Sequence, residues 1–452
     1  MIEYKDGKGF PCYNDIITRK NLKIGIIDAD LLDHGTRHPN LALLKISSFC
    51  KRYGHNVNLI CSYNEIIPTD HDTNTNAIAI GYDLLIMSMV FTFTEPGLPE
   101  QIKSMIKEGK IVYGGTGFFP DKLPNPDKKR PIKEEDNTNL PYDVEHSMPD
   151  YHLYDRFIEL QPGDEESKNK RYKDYKYYSI GFTTRGCIRQ CGFCVNKLCH
   201  GVDSWSPVKE FLDESRPYIY LWDDNIMAAP HRLFKKVMED LIKTNKPFQF
   251  RQGMDIRLMT DKKAELLAHV KYHGDFIFAF DHYRLDDPHE AKQVKDTIRG
   301  LEVWRRHCKK TTKLYVIVAY DSQDEKDIEG TFFRIKTLME FGCLPYIMRF
   351  EKYKGSEFEN MYVQLARWCN QPSFIKKMSF RQYCVRNEEF HQGIQYEHPK
   401  GTYYSKLILP NGFKPKKNFC KCYQTMIDFE ESFPDLAKKY FDIRFEDLNR
   451  YK

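Results

Sequence analysis

Residues 177–194 read YYSIGFTTRGCIRQCGFC, a stretch that joins a strand pattern to three closely spaced cysteines. The run YYSIGFTT (177–184) predicts a buried strand. Cys187, Cys191 and Cys194 follow at CxxxCxxC spacing, which lets one short loop bind three corners of a metal cluster. Because iron–sulfur clusters are usually held by four cysteines, a loop that offers three leaves one iron open to another ligand.

Two other interpretations of the loop stay open on the residues alone. A zinc ion could recruit Cys199 or His200 as its fourth ligand, but zinc sites usually use paired CxxC knuckles. The cysteines could also be unrelated buried thiols, although three of them share one loop at a strand's carboxyl end, where barrel active sites form. Gly186 and Gly192 flank the cysteines and allow close backbone approach. Iron is therefore the favoured metal.

A regular strand–helix alternation follows the opening stretch and predicts a partial (β/α)6 TIM-type barrel. Its helices include HRLFKKVMEDLIKTN (231–245) and DEKDIEGTFFRIKTLMEFG (324–342), each with an apolar stripe. The six strand candidates are YYSIGFTT (177–184), YIYLWDD (218–224), FQFRQGMD (248–255), FIFAFD (276–281), KLYVIVAY (313–320) and LPYIMRFE (344–351).

An earlier alternation predicts an α/β domain with a Rossmann-like parallel sheet ahead of the barrel. Helical patterns at 40–54 and 98–109 separate apolar runs that read as strands. Gly114, Gly115 and Gly117 end the last run, where such sheets bind ligands, although tight turns also need glycine. The strand candidates are LKIGIIDAD (22–30), NVNLIC (56–61), YDLLIMSMVF (82–91) and IVYGGTGFF (111–119).

These patterns divide the chain into four segments. Residues 126–175 are rich in proline and charge and predict a linker or covering strap. Within and just beyond it, KNKRYKDYKYY (168–178) interleaves bases with tyrosines as nucleic-acid surfaces do, but a solvated linker face is the favoured interpretation. The predicted segments are a Rossmann-like, cobalamin-binding-type domain (1–125), the strap (126–175), the barrel (176–355) and a mainly helical C-terminal extension (356–452).

Composition limits the classes of protein that fit. The chain has 452 residues, of which 41% are hydrophobic and 14% aromatic, as in globular proteins. Its 69 basic and 64 acidic residues give a net charge of +5, too mild to indicate nucleic acid or membrane by itself. No uninterrupted apolar run approaches membrane-spanning length, and the N-terminus has no apolar signal core. The thirteen cysteines are an odd number, which favours thiols or metal-bound thiolates and predicts a cytoplasmic protein without a membrane partner.

The cysteine loop, together with the barrel, resembles the radical S-adenosylmethionine (radical SAM) superfamily. Phe193 stands just before the third cysteine, as an aromatic residue does in that motif. The Rossmann-like domain ahead of the barrel is similar to the branch with a cobalamin-binding-type domain. RGCIRQCGFC (185–194), YLWDDN (220–225) and MDIRLMTDKKAELLA (254–268) resemble that branch's cluster loop and its second and third strands. The resemblance covers about 177–351.

The resemblance implies a 4Fe-4S cluster on Cys187, Cys191 and Cys194, with S-adenosylmethionine chelating the open iron through its amino and carboxylate groups. Reductive cleavage of S-adenosylmethionine would give a 5′-deoxyadenosyl radical that abstracts hydrogen from an unidentified substrate. Methyl transfer and rearrangement both stay open. Phe193 would lie near the adenine, Cys199 would be a bystander, and an external electron donor of the flavodoxin or ferredoxin type would supply the electron.

Candidate S-adenosylmethionine contacts follow the second, third and fourth barrel strands. The family's GGE-like motif is missing after the second strand, where Asp223, Asp224 and Asn225 stand instead; a carboxylate can still pair with an ammonium group. On the third strand, an arginine could bind the methionine carboxylate as a bidentate fork. The alternative is that half of these polar residues cap strands or pair with each other. The candidates on the third and fourth strands are Arg251, Asp255, Arg257 and Asp281.

Two departures from the family concern its cofactors. The fifth strand ends VAYDSQDE (318–325), where the family often has glycine, so the adenine wall is expected to differ. The cobalamin signature DxHxxG is absent, since the order around Asp33 and His34 is DHG. A histidine ligand to cobalt from that motif is unsupported. Cobalamin could bind without a protein ligand, but an empty or repurposed domain is favoured.

The C-terminal extension raises a second metal hypothesis and a rival function. Cys384, Cys420 and Cys422 could hold an auxiliary cluster, although ordinary reduced thiols are the favoured account. The rival function is a metal-stapled nucleic-acid-binding module that uses the tyrosine-rich strap and KPKKNFCKC (414–422). It would show a steep salt dependence, but the barrel lacks a concentrated basic face. The sequence names neither the substrate nor the oligomeric state.

Overall fold

The structure is a computed structural model that describes residues 10–67, 81–118, 140–189, 191–194, 201–391, 394–397, 405–408 and 420–451. Cys199, His200 and residues 414–419 lie outside these ranges, as does the side chain of Cys420. The chain forms two compact units, Met1–Arg251 and Gln252–Lys452, and each is described by itself.

The first unit contains nine helices and nine strands among its described residues. The helices are α1 (Tyr13–Thr18), α2 (Ala29–His34), α3 (Leu41–Arg52), α4 (Glu100–Lys107), α5 (Tyr142–Glu145), α6 (Asp155–Leu160), α7 (Glu165–Arg171), α8 (Lys173–Tyr177) and α9 (His231–Lys243). The strands are β1 (Lys23–Asp28), β2 (Asn56–Leu59), β3 (Leu84–Ser88), β4 (Val112–Gly114), β5 (Tyr178–Gly181), β6 (Thr184–Arg185), β7 (Asp203–Ser204), β8 (Tyr218–Leu221) and β9 (Phe248–Phe250).

The N-terminal sheet is fully parallel, in the order β2-β1-β3-β4. β1 is central and buried along nearly its whole length, because both of its faces are covered. The predicted Rossmann-like winding is confirmed at the level of a parallel α/β sheet. In such sheets the winding reverses between β1 and β3, and this reversal opens the crevice where ligands usually bind.

The described part of the strap, 140–175, contributes tyrosines to the core of the first unit, while Lys170, Arg171 and Lys173 between them are exposed. Tyr172, Tyr175 and Tyr178 are buried and pack in one cluster with Tyr154 and the apolar residues of β1 and α3. A tyrosine buried in the core has no face to offer to a base. These three tyrosines are therefore not part of an aromatic platform for stacked bases, which the nucleic-acid interpretation requires.

A second parallel sheet carries the opening stretch, in the order β5-β8-β9. The chain leaves β5 at Gly181, and β6 then pairs antiparallel with β7 on the far side of the cysteine loop. Gly181 has no room for a side chain, because a Cβ there would lie 2.4 Å from the ring of Phe211. This close packing fixes the point from which the loop departs.

The second unit contains nine helices and six strands among its described residues. The helices are α10 (Asp261–His269), α11 (Pro288–His307), α12 (Glu325–Glu340), α13 (Glu359–Cys369), α14 (Pro372–Ile375), α15 (Phe380–His391), α16 (Cys420–Ser432), α17 (Pro434–Tyr440) and α18 (Phe445–Leu448). The strands are β10 (Met254–Asp255), β11 (Phe276–Ala279), β12 (Thr312–Val318), β13 (Leu344–Arg349), β14 (Ile394–Glu397) and β15 (Ser405–Ile408).

The strands of the second unit form a parallel sheet in the order β10-β11-β12-β13, beside an antiparallel pair, β14-β15. The predicted third barrel strand, 248–255, is interrupted: its halves are β9 and β10, with a bend between them. Gly253 lies in the bend, and a Cβ there would come within 2.9 Å of the Tyr315 ring. The six predicted strands thus lie in two sheets, and their closure into a (β/α)6 barrel stays a prediction.

No helix in the described part of the chain is both long enough and apolar enough to cross a membrane.

Candidate functional site

The cysteine loop follows β5 and β6 at the carboxyl end of the second sheet. Cys187, Cys191 and Cys194 are all half-buried. The Cys194 backbone N–H donates to the Cys191 carbonyl at 3.0 Å, which turns the chain between them. Gly186 adopts a φ of +105°, a conformation that other residues rarely take, so the predicted need for glycine beside the first cysteine is met.

Cys187 has two hydrogen-bond donors directed at its sulfur. The backbone N–H of Arg189 lies 3.3 Å from Cys187 Sγ, and the side-chain Nδ2 of Asn225 lies 3.2 Å from it. Asn225 is buried, and its Oδ1 accepts no hydrogen bond from the described residues. One end of the Asn225 amide thus donates to the Cys187 sulfur, and the other end is an acceptor that no described residue satisfies.

Asp223 supports the loop from below. Its carboxylate accepts hydrogen bonds from the backbone N–H and the hydroxyl of both Thr183 and Thr184, at 2.5 to 3.1 Å. Burial raises the pKa of Asp223 to about 6, against the lowering effect of these donors. With four donors already bound, the Asp223 carboxylate positions the strand-to-loop turn.

Asp224 holds the next residue of the loop. Its Oδ2 accepts from the Gly186 N–H at 2.7 Å, while its Oδ1 lies 3.9 Å from Arg185 Nη1. The Arg185 guanidinium stacks 3.9 Å from the centre of the Phe182 ring. Consecutive residues after β8, namely Asp223, Asp224 and Asn225, therefore contact consecutive parts of the cysteine loop, which the sequence pattern did not reveal.

Arg251, at the end of β9, contacts a different part of the first unit. Its Nη2 lies 3.2 Å from His38 Nε2, and its guanidinium lies over the Tyr220 ring at 4.6 Å. His38 in turn pairs with Asp174 through Nδ1. These contacts join the α2–α3 loop to the strap and to β9.

Asp255, Arg257 and Asp281 belong to the second unit. Arg257 forms a bidentate ion pair with Asp255, at 2.6 and 3.0 Å, and also donates to Gln293 at 2.9 Å. Asp281 accepts from the Ile317 N–H at 3.4 Å, and burial raises its pKa. Asp255 and Arg257 therefore pair with each other, which was the alternative to their binding a cofactor.

The turn after β12 is strained, which sequence reasoning missed. Ala319 takes a φ of +59° in the VAYDSQDE stretch, a conformation that costs alanine roughly 1 kcal/mol. Asp327 Oδ2 accepts from the Ala319 N–H at 2.9 Å and from the Tyr362 hydroxyl at 2.7 Å. The signal that could have indicated this strain is the absence of the family's usual glycine at the end of the fifth strand. Ala319 occupies the left-handed conformation that a glycine would adopt without strain.

At the carboxyl edge of the N-terminal sheet, polar side chains of the strands bind side chains of the first unit that lie outside the sheet. Asp28 Oδ2 accepts from the Tyr154 hydroxyl at 2.7 Å, and Asn40 Nδ2 donates to the Ser88 hydroxyl at 2.9 Å. Burial raises the pKa of Asp28 to about 6. His34, from the DHG sequence, lies 3.1 Å from its neighbour Asp33.

The glycines at this edge serve the packing of the chain against itself. A Cβ on Gly115 would meet the Met89 carbonyl at 2.2 Å, and one on Gly117 would meet the Phe91 carbonyl at 3.0 Å. The two glycines are therefore required by the packing of the chain itself, and they give no support to a cobalamin site at this edge.

The cysteine loop offers thiol ligands that either an iron–sulfur cluster or a zinc ion could bind. No group of three or more His, Cys, Asp or Glu side chains in the described ranges is arranged to hold a single metal ion. Ligands of one zinc ion must all lie about 2.0–2.3 Å from it, whereas thiolates of an iron–sulfur cluster bind different irons and lie further apart. The zinc alternative would use Cys199 or His200, which lie outside the described residues, so a cluster on the three thiols stays a prediction.

Comparison with known proteins gave limited similarity. No family model matches the chain, and no curated protein matches it. Among solved structures, the cobalamin-dependent S-adenosylmethionine radical enzyme OxsB with aqua-cobalamin bound is 12% identical, with a TM-score of 0.31, over 95% of this chain and 57% of that one. Apo, selenomethionine-labelled OxsB is 12% identical, with a TM-score of 0.33, over 98% of this chain and 62% of that one. The chain thus spans 57–62% of these structures' length, and we draw no functional conclusion from similarity at this level.

Proposed function

We propose that the protein is a radical S-adenosylmethionine enzyme whose cluster is held by Cys187, Cys191 and Cys194. The observation that carries this proposal is the loop itself: three thiols at CxxxCxxC spacing leave β6 at the carboxyl end of a parallel sheet, with N–H donors directed at Cys187 Sγ. When bound, a 4Fe-4S cluster with one open iron would supply the electron that cleaves S-adenosylmethionine to a 5′-deoxyadenosyl radical.

Asp223 and Asp224 would position the loop for this role. Asp223 accepts from the backbone N–H of Thr183 and of Thr184, and Asp224 accepts from the Gly186 N–H. The backbone before the first cysteine is therefore fixed at three of its four preceding residues. Fixing the loop before the ligand arrives lowers the entropic cost of assembling the site.

Asn225 would then take the part of the missing GGE-like motif. Its buried Oδ1 has no donor among the described residues, and an ammonium group such as that of S-adenosylmethionine would satisfy it. Asp224 Oδ1, which among the described residues lies 3.9 Å from Arg185 Nη1, would accept a second ammonium N–H. The Asn225 Nδ2 would stay directed at Cys187 Sγ.

The remaining assignments belong to the same proposal with less direct support. Phe193 would lie near the adenine, and Arg251, Asp255, Arg257 and Asp281 stay candidates for contacts to S-adenosylmethionine. An external electron donor of the flavodoxin or ferredoxin type and a cytoplasmic location complete the proposal. The substrate is unidentified, and methyl transfer is one of the reactions that the proposal covers.

The test is S-adenosylmethionine cleavage by protein reconstituted anaerobically with iron and sulfide. With dithionite as reductant, we expect 5′-deoxyadenosine to accumulate and the amount to depend on the presence of the cluster. The matched control is Cys61→Ala, since Cys61 is also half-buried and lies in the same unit but outside the loop. A protein that carries a full cluster and makes no 5′-deoxyadenosine would contradict the proposal.

A further inference from the structure

Cys384 and Cys422 meet inside the second unit, where α15 packs against α16. Both side chains are buried, with 0% and 1% of their surface exposed. A hydrogen bond joins the two thiols, whose sulfurs lie 3.5 Å apart. The pair lies far from the cysteine loop in sequence and has no part in the proposed radical chemistry.

The surroundings make the two thiols chemically different. Asn387, one helical turn after Cys384, is buried and directs its Nδ2 at Cys422 Sγ from 3.5 Å. With Cys384 as the donor, the hydrogen bond between the thiols lowers the pKa of Cys422, as this amide does, while burial raises the pKa of Cys384. Cys422 is therefore the better thiolate of the pair, and the thiolate is the form that reacts.

We propose that Cys384 and Cys422 are a redox-active pair that oxidises to an intramolecular disulfide. The oxidant is a small-molecule disulfide such as oxidised glutathione. The Cys422 thiolate attacks one sulfur of the oxidant and expels the first thiolate, which takes up a proton. Cys384 then loses its proton, attacks Cys422 Sγ and expels the second thiol. Two protein thiols are oxidised by two electrons, and one disulfide is reduced to two thiols.

The geometry requires only a small movement. The sulfurs must approach by about 1.5 Å to reach the length of a disulfide bond. The bond would link α15 to α16 and close a loop from 384 to 422 that contains β14 and β15. A metal site is the competing use of two adjacent thiols, but in the described ranges no third His, Cys, Asp or Glu joins them to hold an ion.

Burial controls how the pair reacts. Because neither sulfur is exposed, an oxidant reaches Cys422 only when the packing of α15 on α16 opens locally. Cys369, on α13, is a matched control thiol, because it is equally buried and burial also raises its pKa. Oxidation at Cys384 and Cys422 that spares Cys369 would therefore reflect the pairing of the sulfurs and not general unfolding.

The experiment is a redox titration of the full-length protein in glutathione buffers, quenched by alkylation and mapped by trypsin without reduction. Cleavage after lysine and arginine places Cys384 in peptide 382–386, Cys422 in 422–438, Cys420 in 418–421 and Cys369 in 368–376. Rising oxidation should link 382–386 to 422–438, with a mass loss of about 2 Da that dithiothreitol reverses, while 368–376 stays alkylated.

Several outcomes would overturn the proposal. It fails if 382–386 and 422–438 stay alkylated at every glutathione ratio, if Cys384 links to Cys420, or if the link joins two chains. Cys384→Ser should remove the link and leave peptide 422–438 alkylated after quenching, or as a mixed disulfide with glutathione. A new link from Cys422 to another cysteine in this variant would also contradict the pairing. The wild-type map decides the matter if the variant does not fold.

Discussion

Asp28 and Asp223 stand near the carboxyl ends of strands in two different sheets of the first unit, and the chain uses them differently. Both carboxylates are buried, and burial raises the pKa of each to about 6. Asp28 caps α2 through the Leu31 N–H and accepts from the Tyr154 hydroxyl, which closes that edge. Asp223 instead binds Thr183 and Thr184, whose chain continues into the cysteine loop.

The difference shows that a buried carboxylate with a raised pKa does not by itself mark a functional site. At the Asp28 edge, the carboxylate accepts from the Leu31 N–H and the Tyr154 hydroxyl, while the buried Tyr63 hydroxyl, which follows β2, has no partner among the described residues. At the Asp223 edge, the same kind of carboxylate orders a loop that presents three thiols and the unsatisfied Oδ1 of Asn225. Each edge has one such acceptor or hydroxyl, so the three cysteines, and not the titration, distinguish the two edges.

The largest expected effect is on the cysteine loop. Replacing Cys187, Cys191 or Cys194 by alanine should abolish the cluster, since each thiolate binds its own iron. Iron and sulfide content and visible absorbance after anaerobic reconstitution measure this. Cys61→Ala and Cys199→Ala should keep the wild-type content. Retention of a full cluster by any of the three loop variants would remove the basis for treating this edge as the functional one.

Asp223→Asn should destabilise the protein far more than Asp28→Asn. An amide at position 223 must direct N–H groups at backbone N–H donors, and the buried mismatch should cost about 3 kcal/mol. Asparagine at position 28 remains a good N-cap, so its cost should be about 1 kcal/mol. Urea denaturation of the full chain measures the free energy of unfolding of each variant. Equal losses in the two variants would contradict the difference between the two carboxylates.

Asn225→Ala should alter the cluster and its ligand while leaving the fold intact. Loss of the N–H directed at Cys187 should lower the reduction potential by tens of millivolts, and loss of Oδ1 should weaken S-adenosylmethionine binding about tenfold. Asn225→Asp is the matched control, because it keeps an acceptor and removes the donor. If both variants bind S-adenosylmethionine like the wild type, Asn225 has no contact with it.

The smallest expected effect is a pH dependence of the free energy of unfolding, caused by Asp28. The pKa of Asp28 is about 6 in the folded protein, against an ordinary value of 3.8 for an exposed aspartate. Between about pH 4 and 6 the folded state therefore binds more protons than the unfolded state. Its stabilising contribution is therefore present in acid and is lost as the pH rises through 6. The free-energy cost of Asp28→Asn should be about 1 kcal/mol larger at pH 5 than at pH 7. A cost that is constant or larger at pH 7 would show that Asp28 titrates normally.

Much of the fold could be predicted from the sequence, because strand and helix periodicity are local properties. The predicted strands at 22–30 and 313–320 correspond to β1 and β12, and the helix at 40–54 corresponds to α3. The interruption at Gly253 was missed, since it depends on the Tyr315 ring, which is distant in sequence. The burial of the strap tyrosines was missed for the same reason: their charged neighbours conceal a tertiary contact.

The residue types of the candidate site could be predicted from the sequence, but the contacts that each residue makes could not. CxxxCxxC identifies the three thiols, but nothing local in YLWDDN separates Asp223, which orders the turn, from Asn225, which contacts Cys187 Sγ. The Asp255–Arg257 pair likewise depends on side-chain directions that periodicity does not fix. Hydrogen-bond partners are set by packing, which a single sequence does not display.

The most direct test of the central claim, that three thiols leave one iron open, is electron–nuclear double resonance on the reduced, reconstituted protein with S-adenosylmethionine labelled with ¹⁵N at its amino group. The account predicts a hyperfine coupling between the cluster and the labelled nitrogen. A full cluster that shows no such coupling at saturating S-adenosylmethionine would contradict it.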